Sequence, residues 1–173
     1  MAKRLSRIER DIERLKEKIS EYQQQLKELE AAKRDKNPIL AIVKGSAVNN
    51  DGTSNGITAP NAETQEALLA NTWERAGINP ETISYIESHG TGTKLGDPIE
   101  IRAITKAFRK YTDKKQFCAI GALKRNIGHL SGAAGVASVI KSVMMLDKKQ
   151  MLPCIDIEEP NPYINFVDSP VFV

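Results

Sequence analysis

Phe117-Cys-Ala-Ile-Gly-Ala-Leu-Lys-Arg-Asn-Ile-Gly-His129 runs from an apolar segment, patterned as a buried strand, into a glycine loop that ends in histidine. The same design occurs upstream, where Ile83-Ser-Tyr-Ile-Glu-Ser88 leads into His89-Gly-Thr-Gly-Thr93. His89 and His129 are the only two histidines in the chain. Each falls at a strand end, where open α/β sheets place their ligands. A His-Gly step that merely tolerates a tight turn would account for one such loop, but two loops of one design point to a site. Imidazoles near neutrality, with Lys124 just ahead of His129, suit chemistry in which negative charge develops on an oxygen.

Around these loops, strand-like runs at Ile39 to Val43, Ile83 to Glu87, Phe117 to Leu123 and Met151 to Ile157 alternate with helical stretches. The helices are expected at Ala62 to Ala76, Pro98 to Lys110 and Gly132 to Asp147. Such alternation argues for βαβ units and a layered α/β fold, and the segment from Leu40 onward is long enough to bury most of one core. Asp97 is placed to cap the second helix, with Pro98 at its first position and Glu100 at a capping-box spacing. Gly132-Ala-Ala-Gly-Val-Ala-Ser138 is a run of small residues that reads as a tightly packed helix start. Asn126 reads as a turn residue that satisfies local backbone groups.

IESHGTGTKLGDPIEI (residues 86–101) and AIGALKRNIGHLSGAAG (residues 119–135) closely resemble two signatures of the C-terminal half of β-ketoacyl-acyl-carrier-protein synthases, specifically the ketosynthase domains of modular polyketide synthases. Lys44-Gly-Ser-Ala-Val-Asn-Asn-Asp-Gly52 with Gly56-Ile-Thr-Ala-Pro-Asn61 resembles the segment that opens that half. The likeness runs from about Leu40 to Val173, with assembly lines that lack built-in acyltransferases as the nearest kind. It implies an α/β fold, the C-terminal half of a thiolase-type layered sandwich. By resemblance, His89 and His129 belong to a catalytic triad with a cysteine and stabilise the enolate formed as a malonyl extender loses carbon dioxide. Lys124 then orients its neighbours through a charged network, and Thr91 and Thr93 bind the phosphopantetheine arm of an acyl carrier protein, with no tightly bound cofactor and no metal.

The family's nucleophilic cysteine belongs to a Thr-Ala-Cys-Ser-Ser type motif of the other half, and no such motif occurs in these 173 residues. Cys118, inside a strand, and Cys154, after a proline, read as small apolar packing residues rather than reactive thiols, and two cysteines make neither a disulfide framework nor a four-ligand zinc site. Asn37-Pro-Ile-Leu-Ala-Ile-Val-Lys44 looks like the family's opening strand running directly into the strand of the second half, so the intervening part of a ketosynthase is expected to have been removed. Arg125 and Ser131-Gly132 depart from the small residue and Glu-Ala pair that relatives more often carry, without loss of a catalytic group. A half-sandwich would also leave a large apolar face open unless another chain covers it.

The first 36 residues are a different object. Leu5, Ile12, Ile19 and Leu26 recur every seven residues, and Ile8, Leu15, Tyr22 and Leu29 follow each by three. This a/d pattern favours a parallel two-stranded coiled coil, in which Arg4 faces the partner copy's glutamate at position 9 and Asp11 faces its lysine at position 16. A single amphipathic helix packed on its own domain would carry a wider apolar stripe. The expected division is 1–36 for dimerisation or docking and 37–173 for the ketosynthase half. By resemblance, a coiled coil ahead of a ketosynthase receives the tail of an upstream polyketide synthase subunit.

Up to Lys36 the chain carries 11 Lys or Arg against 8 Asp or Glu, and the remainder carries 14 of each, so the whole net charge of +3 belongs to the helix. No basic cluster surrounds aromatic residues, which disfavours nucleic acid, and no apolar run reaches the length of a membrane span. A cytoplasmic protein is expected. Two functions therefore stand: part of a ketosynthase that performs decarboxylative Claisen condensation with the rest supplied elsewhere, or a non-catalytic dimerising and docking scaffold.

Overall fold

The computed structural model describes residues 28–52, 60–155 and 159–173. The chain divides into two units between Ile42 and Val43. In the first, residues 28–34 are helical (α1) and include Leu29. The other heptad positions, Leu5 to Leu26, lie outside the described residues.

The second unit is an α/β layer structure on a three-stranded parallel sheet in the order β1-β2-β3, formed by Tyr85–Glu87, Cys118–Gly121 and Val171–Phe172. Helices α2 (Ala62–Arg75) and α3 (Gly96–Arg109) cover one face. Asn61 starts α2, its Oδ1 accepting the Glu63 and Thr64 N–H groups at 3.0 and 3.3 Å. Between sheet and helices lie Trp73, Ile101, Ile104, Ala107, Phe108, Cys118, Ile120 and Val171, with Ile86 packed against them. Phe108, fully buried, meets Trp73 at 4.7 Å and Phe117 at 5.2 Å between ring centroids. Parallel strands joined through α3 fit the expected alternation, because a parallel pair needs a crossover helix.

Several expectations change. Ile39 to Val43 forms no strand: Ile39, Leu40, Ile42 and Val43 are exposed, and no described strand pairs with them. Met151 to Ile157 forms none over its described part, where Pro153 lacks an N–H for a ladder and Met151, Leu152 and Ile155 are exposed. The third strand is the short Val171–Phe172, whose two residues are too few to read as a period. The run ending at Leu123 also stops sooner than expected, because Leu123–Ile127 turns into a short helix, α4.

Helix α5 (Ala134–Lys148), entered through a 3₁₀ turn at Ser131–Ala133, is inverted relative to an ordinary surface helix. It buries Lys141, 5% exposed, and leaves Val136, Val139, Ile140 and Met144 open. The small-residue run that opens it is not tightly packed at its glycines, since a Cβ at Gly132 or Gly135 would meet nothing within 4 Å. Lys141 reaches the opposite sheet face from the aromatic core, where its Nζ donates to Glu87 Oε2 at 2.7 Å and to Tyr85 Oη at 2.9 Å. Burial pushes the Tyr85 phenol up, and the Glu87 charge adds to it. For Glu87, burial acts upward but is outweighed by hydrogen bonds from Lys141, Tyr85 and the Leu123 N–H, which hold its carboxyl below the ordinary value of 4.5.

Two outcomes follow from this packing. Phe108→Ala removes a fully buried ring that touches two others, and urea unfolding should show a loss of about 3–5 kcal/mol. Glu87 titrates lower in the folded chain than in the unfolded one, so the folded state binds fewer protons. Its stabilisation is complete above the ordinary glutamate range and is lost as pH falls through the folded value. Unfolding curves between about pH 6 and pH 3 should therefore show an acid limb that is shallower in Glu87→Gln.

Candidate functional site

The neighbouring strands β1 and β2 pair with Ile86 opposite Ile120 and Glu87 opposite Gly121. His89 follows the carboxyl end of β1, as expected, whereas His129 stands not at a strand end but beyond α4, because the chain turns into that helix after β2. Ser88 extends the ladder, its N–H donating to the Gly121 carbonyl at 2.7 Å and its hydroxyl at 2.9 Å. Beyond this point the chains diverge into the two loops. The rings of His89 and His129 meet edge to face, with centroids 5.7 Å apart and planes at 84°. Both side chains are exposed, as groups must be to act on something outside the chain.

The first loop is held by carboxylates from the start of α3. Glu100 accepts the His89 N–H at 2.6 Å and the Gly90 N–H at 2.9 Å, and Asp97 accepts the Gly92 N–H at 3.1 Å. The expected capping box of Asp97 and Glu100 is thus not formed. Helix α3 begins at Gly96 with Leu95 in the cap position, and Thr93 Oγ1 takes the Gly96 N–H at 2.9 Å. The two acids serve the histidine loop because it folds back over the helix end, bringing three unpaired N–H groups to them. Gly90 has φ +44° and would place a Cβ 2.5 Å from that of Ala122, so the loop fits only with glycine there.

In the second loop, α4 ends at Gly128, whose φ of +79° turns the chain toward His129. The Ser131 N–H donates to His129 Nδ1 at 2.9 Å. The neutral imidazole therefore carries its proton on Nε2, which becomes a hydrogen-bond donor. Asn126 sits inside α4 rather than in a turn, and its Oδ1 accepts the Ile155 N–H at 3.4 Å.

Lys124, Thr91, Gly90, Gly92 and His129 line one open groove of about 520 Å³, which also takes in Cys154, Pro160 and Phe166. Among the described residues the Lys124 ammonium makes no ion pair or hydrogen bond. Thr91 stands on the groove wall 3.4 Å from Thr93, hydroxyl to hydroxyl, while Thr93 is engaged in starting α3. Cys118 is fully buried and its thiol is pushed up to about 12 by that burial. Cys154 accepts the Ala122 N–H through sulfur at 3.4 Å. Among the described residues no cluster of three His, Cys, Asp or Glu is placed to hold a metal ion, and no helix is long and apolar enough to cross a membrane.

Glu87, Tyr85 and Lys141 escaped the reading of the motifs, and Glu100 was expected at the helix cap rather than on the histidine loop. Glu87 carried a signal, an acid in an apolar strand two residues before His89, and so did Lys141, a lone charge within Val136 to Leu146.

Comparison with known proteins agrees with this geometry. The family described as "Beta-ketoacyl synthase, C-terminal domain" matches residues 40–158, and a domain of unknown function matches residues 4–66. Polyketide synthase PksL and polyketide synthase PksM of Bacillus subtilis (strain 168) are 50% and 47% identical over 148 residues, 86% of this chain. The chain spans only 3% and 4% of their lengths. The ketosynthase from module 6 of the bacillaene synthase from Bacillus subtilis 168 superposes with a TM-score of 0.80 at 49% identity, over 83% of this chain and 26% of that one. The paired histidine loops, the thiolase-type α/β fold that carries them and the match over residues 40–158 have one common source: the chain belongs to the β-ketoacyl synthase family, as the C-terminal domain of a ketosynthase of the modular polyketide synthase kind.

Proposed function

We propose that residues 37–173 supply the histidine and lysine side of a polyketide synthase ketosynthase site, which condenses an acyl thioester with a malonyl unit on an acyl carrier protein. The observation that carries this reading is the imidazole pair, 5.7 Å apart, with His129 Nε2 left as the donor. Two neighbouring imidazoles, one of them sharing a groove with an ammonium group, suit stabilisation of an enolate oxygen as its charge develops. His129 and His89 hold that oxygen, and Lys124, which lines the same groove as His129, supplies a favourable field. Thr91 and Thr93 hold the phosphopantetheine arm, whose narrow chain suits an open groove.

The bond between the α-carbon and the carboxylate carbon of the malonyl thioester breaks, carbon dioxide leaves, and the electron pair becomes the enolate held by the imidazoles. With an acylated cysteine present, the α-carbon attacks that thioester and expels the thiolate. Without it, a proton from water gives the acetyl thioester. Cys118 is poorly suited to be that nucleophile because it is buried with a raised pKa, and the sulfur of Cys154 is engaged by the Ala122 N–H. A nucleophile-bearing segment is therefore the required partner, and the open apolar face of α5 (Val136, Val139, Ile140, Met144) is a surface that such a segment would cover. Residues 1–36 pair in parallel with a second copy and receive an upstream synthase subunit, in the cytoplasm.

The test is loss of carbon dioxide from malonyl-loaded acyl carrier protein, followed by mass spectrometry with the nucleophile-bearing part of a related ketosynthase added. His129→Ala should lower the rate about 100-fold. Equal rates for the two proteins, or no release from either, would remove the proposed chemistry.

A further inference from the structure

Among the described residues the most buried charged group, Lys141, is not one of those that line the groove. Lys141 and Glu87 form an ion pair whose side chains are 4% and 7% exposed, sealed between α5 and the sheet. A pair this deep gains little net stability, since removing two charges from water costs about what their attraction returns. Its connections reach further than its energy.

Glu87 is the last residue of β1, two positions before His89. Its Oε2 takes Lys141 and the Tyr85 hydroxyl, while its Oε1 takes the N–H of Leu123 at 2.5 Å, the first residue of α4 and the one before Lys124. Ser138 of α5 adds a longer contact to the same oxygen at 3.5 Å. One carboxylate thus ties the strand leading to His89, the helix leading to Lys124 and His129, and α5. Gly121 leaves the room, because a Cβ there would lie 2.5 Å from Tyr85 Oη and 3.4 Å from Lys141 Nζ.

We propose that Glu87 is a positioning residue: its carboxylate, fixed by Lys141 and Tyr85, sets the separation of the His89 and His129 loops through the Leu123 N–H. This rests on the ketosynthase reading only for its effect on catalysis. The loop spacing itself is a separate observable.

Two paired replacements separate positioning from stability. Glu87→Leu with Lys141→Met removes both charges and the acceptor for Leu123 and leaves no buried charge unpaired, but it strips the Tyr85 hydroxyl and the Leu123 N–H of their partners and should melt somewhat below the parent. Glu87→Gln with Lys141→Met is equally neutral but keeps an oxygen for the Leu123 N–H. The readout is the cross-peak between the two imidazoles in NMR spectra of histidine-labelled full chain, assigned with His89→Gln and His129→Gln.

The Leu/Met protein should lose at least about four-fifths of that cross-peak and slow carbon dioxide release about tenfold, whereas the Gln/Met protein retains both within about twofold. A parental cross-peak in the Leu/Met protein would overturn the proposal, and so would equal losses in both variants. Should the Leu/Met protein fail to fold, Leu123 amide exchange in the unaltered chain decides: protection of about 100-fold supports the tether, and none overturns it. Loss of the cross-peak in a protein whose parent releases no carbon dioxide would sink the catalytic reading and leave the positioning role standing.

Discussion

The parallel pairing of β1 with β2 is the contact from which the rest of the site follows. With Ile86 opposite Ile120 and Glu87 opposite Gly121, the two strands end level. The loops they release therefore start side by side. Side chains alternate across a strand, so the same register sends Ile86, Cys118 and Ile120 toward α3 and leaves Tyr85 and Glu87 facing Lys141. Slipping the pairing by one residue would drive the carboxylate into the aromatic core and separate the histidines, which is why register is strongly specified here.

Two carboxylates then convert backbone position into ring position. Glu100, from α3, holds the first histidine loop by two N–H groups, and Glu87, from the sheet, holds the start of α4 by one. Each carboxylate is taken up by backbone N–H groups of the segment that it holds. Hydrogen bonds to a charged acceptor are stronger than neutral ones, which suits them to fixing loops whose own side chains must stay exposed. The layered packing beneath needs no such help, because α2 and α3 bury Trp73, Phe108 and Ile104 against the sheet.

The helices and the site loops were legible because their signals are local and strong. Ala62–Arg75 and Gly96–Arg109 carry clear apolar periodicity, and two histidines after two apolar runs could hardly be missed. The misreadings share a physical cause. Ile39 to Val43 and Met151 to Ile157 are apolar enough for strands, but a strand exists only beside a partner, and adjacency is not written in a single segment. The Asp97 and Glu100 cap failed for the complementary reason: the spacing was right, but a folded-back loop offered those acids better donors. Composition likewise marks α5 as apolar without saying that Lys141 would be among its buried residues.

The claim on which the account turns is that the fold presets His129 as a donor from Nε2, before any substrate arrives. The direct measurement is ¹⁵N NMR of the imidazole nitrogens of the full chain at neutral pH, with His89→Gln to isolate His129. A donor preset by the fold requires the neutral form of the ring to be protonated on Nε2, with Nδ1 bearing the signature of an acceptor for the Ser131 N–H. A ring protonated on Nδ1, or one exchanging evenly between tautomers, would contradict it.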